Sequence, residues 1–384
     1  MALDFDVAVV GAGPAGSWTA FRLARAGARV AIIDGSHPRE KPCGGGVTGR
    51  AFALVDEALS SAPLPIVPVD TATFSAAGRR AVVSVASSPG ASGRLGIVSR
   101  RGFDGALLAA ARGAGARHLP RRVTALERMA HGWTVITGEN RTSCAWLVGA
   151  DGANSFVRRH VSAPFPRADL SVAAGYFVRG HSNTEAAIDF DDSPTGYVWS
   201  FPRVDHLAVG ACAQADAASS PSLLARARRW IGSHVPGHTS LDRYSWPIPS
   251  LGASALDGEI PAGDRWLLVG DAAGLVDPIT REGIYFALLS GEHAAVTLRQ
   301  GSAAAEYTAR LRDTAFDELR RAARLKARFF RPELLGLLVR GLERSQSVRT
   351  IMADLVCGNQ TYSGLRRRLL GTLELKLMIE FFRL

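Results

Sequence analysis

A chain of 384 residues that is 47% hydrophobic and 21% charged is long enough for one large or two medium domains and too apolar to be disordered. Its net charge of +10 sets 45 basic side chains, all but Lys41, Lys326 and Lys376 of them arginine, against 35 acidic ones, and no basic run is interleaved with aromatics, so no nucleic-acid partner is expected. Cys43, Cys144, Cys212 and Cys357 lie far apart without CxxC spacing, and no leader-like or ~18–20-residue apolar stretch appears; a zinc ribbon, a disulfide scaffold and a membrane span are excluded, no metal site is expected, and a cytoplasmic location follows.

The first predicted element is a buried parallel strand, Val7-Ala8-Val9-Val10, β-branched and apolar throughout. It runs into Gly11-Ala12-Gly13-Pro14-Ala15-Gly16, a helix from about Ser17 to Ala26, and a second strand Arg29–Ile33 that ends at Asp34. In this pattern the first glycine permits the turn, the second lets backbone approach a pyrophosphate, and the third allows close helix packing, with the helix N-terminus aimed at the phosphates. Gly11, Gly13, Pro14, Ala15 and Gly16 are therefore expected at a dinucleotide and Asp34 at its ribose hydroxyls.

Alternating strand-like runs follow in 71–85. Val98–Asp104 opens a helix to about Arg112, with Arg100 in its first turn as a further cofactor candidate. Leu147–Ala150 reads as a strand ending in the Asp151-Gly152 turn, with Arg158 one helical turn beyond. Between about 171 and 250, strand-like runs separated by Gly, Pro and Asp predict an antiparallel sheet, and Tyr197 and Trp199, two apart, share one of its faces. Arg265–Val269 is another apolar strand, ending in Gly270-Asp271, where α/β sheets place ligand groups. From Ala303 the chain turns helical, with Tyr307, Leu311, Ala315, Leu319 and Ala322 on one face. The last segment, 366–382, is basic and then strongly apolar; it either packs on its own core or makes a peripheral membrane contact. A loop is read at 86–93. The expected units are a discontinuous nucleotide domain (1–66, 96–164, 256–300), a substrate domain (67–95, 165–255) and a helical region (301–384).

Together these segments resemble the flavoproteins of p-hydroxybenzoate-hydroxylase type. The resemblance implies an α/β fold: a Rossmann-like FAD-binding domain, an antiparallel-sheet substrate domain and a C-terminal helical region. It also implies FAD as cofactor, Asp271 on its ribityl hydroxyls, and the following helix aimed at the flavin. A narrower resemblance, to geranylgeranyl reductases, lies in three motifs. Lys41-Pro42-Cys43-Gly44-Gly45-Gly46-Val47 is similar to their Pro-Cys-Gly-Gly-Gly segment. Tyr197-Val198-Trp199-Ser200-Phe201-Pro202, followed by Val209-Gly210, is similar to their Tyr-x-Trp-x-Phe-Pro strand. The stretch from Gly270 through Asp277, Thr280 and Glu282 to Gly283-Ile284 is similar to their flavin-edge loop. One departure stands out: Arg281 replaces the usual glycine of Thr-Gly-Glu-Gly.

That likeness implies a reductase of carbon–carbon double bonds in an isoprenoid or other apolar small molecule or lipid, with hydride from N5 of reduced FAD. Gly44 and Gly45 would let backbone lie on the ring, and Cys43 or a water is the candidate proton source. Tyr197, Trp199, Phe201 and Arg281 would line the substrate. NAD(P)H, a ferredoxin or a quinol would serve as reductant, the second being an electron-donor protein. The rival reading is an FAD monooxygenase acting through a flavin hydroperoxide. A flavin-dependent halogenase is disfavoured, because those enzymes carry a lysine well after the second strand and Lys41 is too early. A non-enzymatic flavoprotein would leave the substrate domain without a purpose.

Overall fold

The computed structural model describes residues 3–60, 63–86, 95–181, 183–192, 194–238, 240–301 and 304–372. The apolar runs of the sequence become the centre of a parallel sheet. Phe5–Val10 pairs in parallel with Val30–Ile33 on one side and with Asn140–Gly149 on the other. Arg117–Leu119 and Trp266–Leu268 extend the sheet at its two flanks. Val7 to Val10 and Val30 to Ile33 are all buried, as strands covered on both faces must be. Because these strands run in parallel, their carboxyl ends bring the glycine turn, Asp34, Asp151 and Asp271 to one edge of the sheet.

The helix after the glycine turn spans Pro14–Arg25, starting three residues ahead of the expected Ser17. Proline lacks an N–H and holds a helical φ, so Pro14 begins the helix rather than delaying it. This helix packs on Ile284–Arg299, where a Cβ at Gly291 would come within 2.9 Å of Ala15 O and Thr19 Oγ1.

A second sheet runs in the order Leu241–Pro249, Leu170–Arg179, His206–Gln214, Thr195–Pro202, Glu185–Asp192, Thr71–Ala76, Arg79–Ser84. It is antiparallel as expected except at one junction: Glu185–Asp192 and Thr71–Ala76 run parallel. Strands joined by hairpins must alternate direction, whereas Thr71–Ala76 arrives from a distant stretch of chain and is free of that constraint. The period of two is obeyed. Val198 and Val209 pack under the helix Ser220–His234, while Tyr197, Trp199 and Cys212 face the other way. A small third sheet, Gly46–Val47 with Gly96–Val98 and Ile66–Pro68, ties the Cys-Gly loop to the start of the Arg100–Gly113 helix.

The C-terminal part is helical. Tyr307, Leu311, Ala315, Leu319 and Ala322 are all buried, through a widened π turn at Arg312–Phe316. Tyr307 donates from its hydroxyl to Leu268 O at 2.8 Å and anchors the tail to the parallel sheet. Helices Pro332–Arg344 and Gln346–Cys357 cover the 71–84 hairpin of the second sheet. The apolar half of the 366–382 segment and all but the first residue of the 86–93 loop lie outside the described residues. Among the described residues no helix is long and apolar enough to cross a membrane.

Candidate active site

At the dinucleotide turn the glycines do three different jobs. Gly11 has φ +107°, and a Cβ there would overlap Ala150 O; a Cβ at Gly16 would overlap Gly11 O. At Gly13 nothing lies nearer than His37 Nε2 at 3.8 Å, so its face is open to a ligand. Asp34 folds back onto this turn. Its Oδ2 accepts from Ala12 N at 2.9 Å and from His37 Nδ1 at 2.8 Å, and its Oδ1 from Ser36 N at 2.6 Å. Burial would raise its pKa, but His37 and the amides hold it well below the usual carboxylate range.

His37 also reaches Asp104, Nε2 to Oδ2 at 3.5 Å. Burial opposes its charge, yet the two carboxylates push its pKa up. Asp104 in turn takes a bidentate pair from Arg100, both contacts at 2.8 Å. Arg100, expected to face the cofactor, therefore sits at the cavity wall 3% exposed with its fork engaged by Asp104 and its charge beside Cys43. Glu40 caps this helix, accepting from Ser99 Oγ at 2.7 Å and Arg100 N at 3.0 Å.

The Cys-Gly loop is pressed onto the aromatic strand of the second sheet. A Cβ at Gly44 would overlap the Phe201 ring, and one at Gly45, where φ is +81°, would overlap Val98 O and the Arg203 guanidinium. Arg203 Nη2 donates to Cys43 O at 3.0 Å, and Gly45 N donates to Cys43 Sγ at 3.3 Å. Across the cavity, Gly270 N donates to Ser290 Oγ at 2.9 Å and fixes the short turn that carries Asp271. Lys41 Nζ donates to Asp271 Oδ2 at 3.0 Å, a pair the sequence reading did not anticipate. Gly283 caps the helix that begins at Ile284, and a Cβ on it would meet Asp271 Oδ1 at 3.4 Å, so Asp271 stands at that helix's N-terminus.

The loop between them is tied down at both ends. Asp277 Oδ1 accepts from Ile279 N at 2.7 Å and its Oδ2 from the Tyr362 hydroxyl at 2.8 Å. Glu282 takes Thr48 Oγ1 at 2.8 Å and pairs with Arg50; burial raises its pKa against the pull of that arginine. Arg281 has φ +62°, the left-handed region where a glycine would sit without strain, and its Nη1 donates to Ser250 Oγ.

These pieces enclose a cavity of about 260 Å³. Pro14, Arg100, Asp271, Gly283 and Ile284 lie at one side of it and Cys43, Gly44 and Gly45 along its wall. Tyr197, Trp199, Phe201 and Arg281, expected at the substrate, are brought together on its wall. Gly11, Gly13, Ala15, Gly16 and Asp34 do not line it but shape the dinucleotide turn beside it, and Gly270, also outside the lining, shapes the short turn that carries Asp271. Phe329 and Met352, from helices the sequence reading did not connect with the site, close the wall opposite. The open face of Gly13, Pro14 at a helix N-terminus and the continuous cavity beyond it fit FAD. Asp151 is structural: its Oδ2 accepts from Phe156 N at 2.6 Å and Val157 N at 3.1 Å and caps the following helix. Arg158 braces the site from behind, bidentate to Glu259 at 2.6 and 2.9 Å and donating to Ala272 O at 3.1 Å.

The FAD binding domain family matches residues 4–179. The geranylgeranyl diphosphate reductase of Rhodobacter capsulatus is 31% identical over 311 residues, covering 76% of this chain and 74% of its own. The menaquinone reductase of Mycolicibacterium smegmatis is 31% identical over 325 residues, covering 77% and 76%. Among solved structures, a geranylgeranyl bacteriochlorophyll reductase-like protein from Thermoplasma acidophilum superposes with TM-score 0.77 at 22% identity, over 96% of this chain and 99% of that one. A flavin-dependent brominase superposes with TM-score 0.69 at 18% identity, over 96% and 98%. At these identities the structural matches speak to the fold.

Proposed function

Because the chain belongs to the geranylgeranyl reductase family of FAD-dependent oxidoreductases, we propose that it saturates carbon–carbon double bonds of an isoprenoid or other apolar chain. The observation that carries this reading is the cavity: one end is built for a dinucleotide and the rest is walled by Tyr197, Trp199, Phe201, Phe329 and Met352. An unactivated alkene needs a dry, apolar wall that fixes it against the reacting ring. Gly11, Gly13 and Gly16 with the N-terminus of Pro14–Arg25 would hold the FAD pyrophosphate, Asp34 and Asp271 its hydroxyls, and Gly283-Ile284 the ring edge. Bound, reduced FAD supplies a hydride at N5. Gly44 and Gly45 leave room for a flat ring because neither carries a side chain, and Cys43 holds a proton at Sγ within the cavity wall. Lys41 is engaged by Asp271, which disfavours a halogenase-like use of that lysine.

An anaerobic half-reaction tests the reading. The FAD-loaded protein is reduced with dithionite and mixed with a geranylgeranyl lipid. Return of the oxidised-flavin spectrum without oxygen, together with hydrogenated lipid by mass spectrometry, is the expected result. Flavin that stays reduced until air enters would overturn it in favour of a hydroxylase. Three donors suit such a flavin, NAD(P)H, a ferredoxin or a quinol, and the same assay started with each in place of dithionite ranks them.

A further inference from the structure

Arg281 belongs to two walls. On its other side from the apolar cavity lies a cleft of about 720 Å³ in which Asp169, Gln214, Ser222, Ser250 and Lys326 stand among apolar residues. Lys326 enters this cleft from the helix Asp317–Phe329 and donates to Gln214 Oε1 at 2.7 Å and Ser250 Oγ at 2.8 Å. Arg281 Nη1 donates to the same Ser250 oxygen, so one hydroxyl joins two cationic side chains. Among the described residues neither cation has a carboxylate within ion-pair distance, and Arg281 Nε is buried without a partner. Asp169 lines the cleft, but its Oδ1 accepts from Gly252 N at 3.2 Å.

Two half-buried cations sharing one oxygen repel each other; Asp169 and Asp216 act on Lys326 only from beyond ion-pair distance, so a directly bound anion would relieve the repulsion. The consequence is visible on Lys326: burial first, then the Arg281 charge, push its pKa down to about 7. The backbone adds a second, independent observation. A residue with a Cβ at φ +62° is strained where glycine would be relaxed, so the guanidinium is held there against local conformational preference.

We propose that Arg281 and Lys326, bridged by Ser250, form a binding site for a phosphate-class anion next to the flavin cavity. Phosphate oxygens accept from the guanidinium fork and the ammonium together, with Ser250 as a third polar partner. The anion comes either as the head of an amphiphilic substrate whose chain passes Arg281 into the apolar cavity, or free in solution.

Isothermal titration of the FAD-loaded protein decides it, with inorganic pyrophosphate, geranylgeranyl diphosphate and geranylgeraniol as probes. Saturable pyrophosphate binding is expected, weakened about tenfold or more in both Lys326→Met and Arg281→Gly. Arg281→Gly should melt no lower than the parent protein, since glycine relieves the strain, which separates loss of the site from loss of the fold. Binding should tighten between about pH 8.5 and about pH 6.5 as Lys326 takes up a proton, the charged or titratable groups facing it being Arg281, Asp169, Asp216 and Cys212. A diphosphate lipid that binds far more tightly than pyrophosphate, and loses that advantage in Lys326→Met, assigns the site to a substrate head; equal affinities assign it to a free anion. Absence of saturable binding by either anion, or binding unchanged in both variants, overturns the proposal. Pyrophosphate binding needs no turnover, so a protein that binds it but reduces no alkene keeps this site and loses only the reductase reading.

Discussion

His37 stands between Asp34 and Asp104, and its charge joins that of Arg100 in holding the two carboxylates together. Its pKa is raised above the ordinary 6.5, so its stabilising contribution is fully present below that value and fades as pH climbs through the raised one. His37→Gln, which keeps a neutral donor but removes the charge, should lower unfolding stability by about 1–2 kcal/mol near pH 6. Urea unfolding at about pH 6 and about pH 9 should show that gap narrowing at the higher pH; a constant or widening gap would mean the charge is not what matters. Cys43 is the residue on which the chemistry of the reductase reading turns. Cys43→Ala should retain the FAD spectrum and substrate binding yet slow anaerobic flavin reoxidation by the lipid about 100-fold, in the range of a lost general acid. Unchanged reoxidation would remove Cys43 from the mechanism and pass the proton to solvent.

The elements around the site are short turns between strands and helices, and two of them, before Arg100–Gly113 and Phe156–Val161, are closed by side-chain caps. Asp151 is one such cap, buried so that its pKa rises even though Ser155 and two amides hold its oxygens. Asp151→Ala should cost about 1–2 kcal/mol in thermal or urea unfolding while leaving the FAD affinity within twofold, because it caps a helix and does not line the cavity. A large loss of FAD with intact stability would instead make it a cofactor ligand. What was legible in the sequence is what local chemistry controls: the glycine turn, the strand-ending acids and the alternation of Tyr197 and Trp199. Arg100–Asp104 was within reach too, since four residues on a helix place two side chains together. Lys41–Asp271, 230 residues apart, was not, because it depends on how two loops meet in space. The parallel junction of Thr71–Ala76 with Glu185–Asp192 was missed for the same reason: register between distant strands is set by surfaces that no local pattern reports.

At the scale of the whole molecule, three separate stretches converge on one cavity. The parallel sheet brings the cofactor turn, the second sheet brings an aromatic face, and the C-terminal helices close it. Phe329 shows what the third contribution is for. Its ring meets Phe190 at 5.7 Å and Phe330 at 5.1 Å, edge to face, and it lines the cavity opposite the Cys-Gly loop. A helix that merely packed on the sheet would have no reason to influence which substrate enters. If this wall instead bounds the chain of the substrate, removing part of the ring should change how much chain fits. Phe329→Leu is mild enough for the fold, with an expected loss of about 1–2 kcal/mol. The ratio of kcat/KM for a twenty-carbon over a fifteen-carbon isoprenoid should then shift by about tenfold toward the longer chain, the size of a few methylenes gained in an apolar pocket. An unchanged ratio with the same small loss of stability would place the end of the substrate elsewhere and leave the C-terminal helices a purely structural cover.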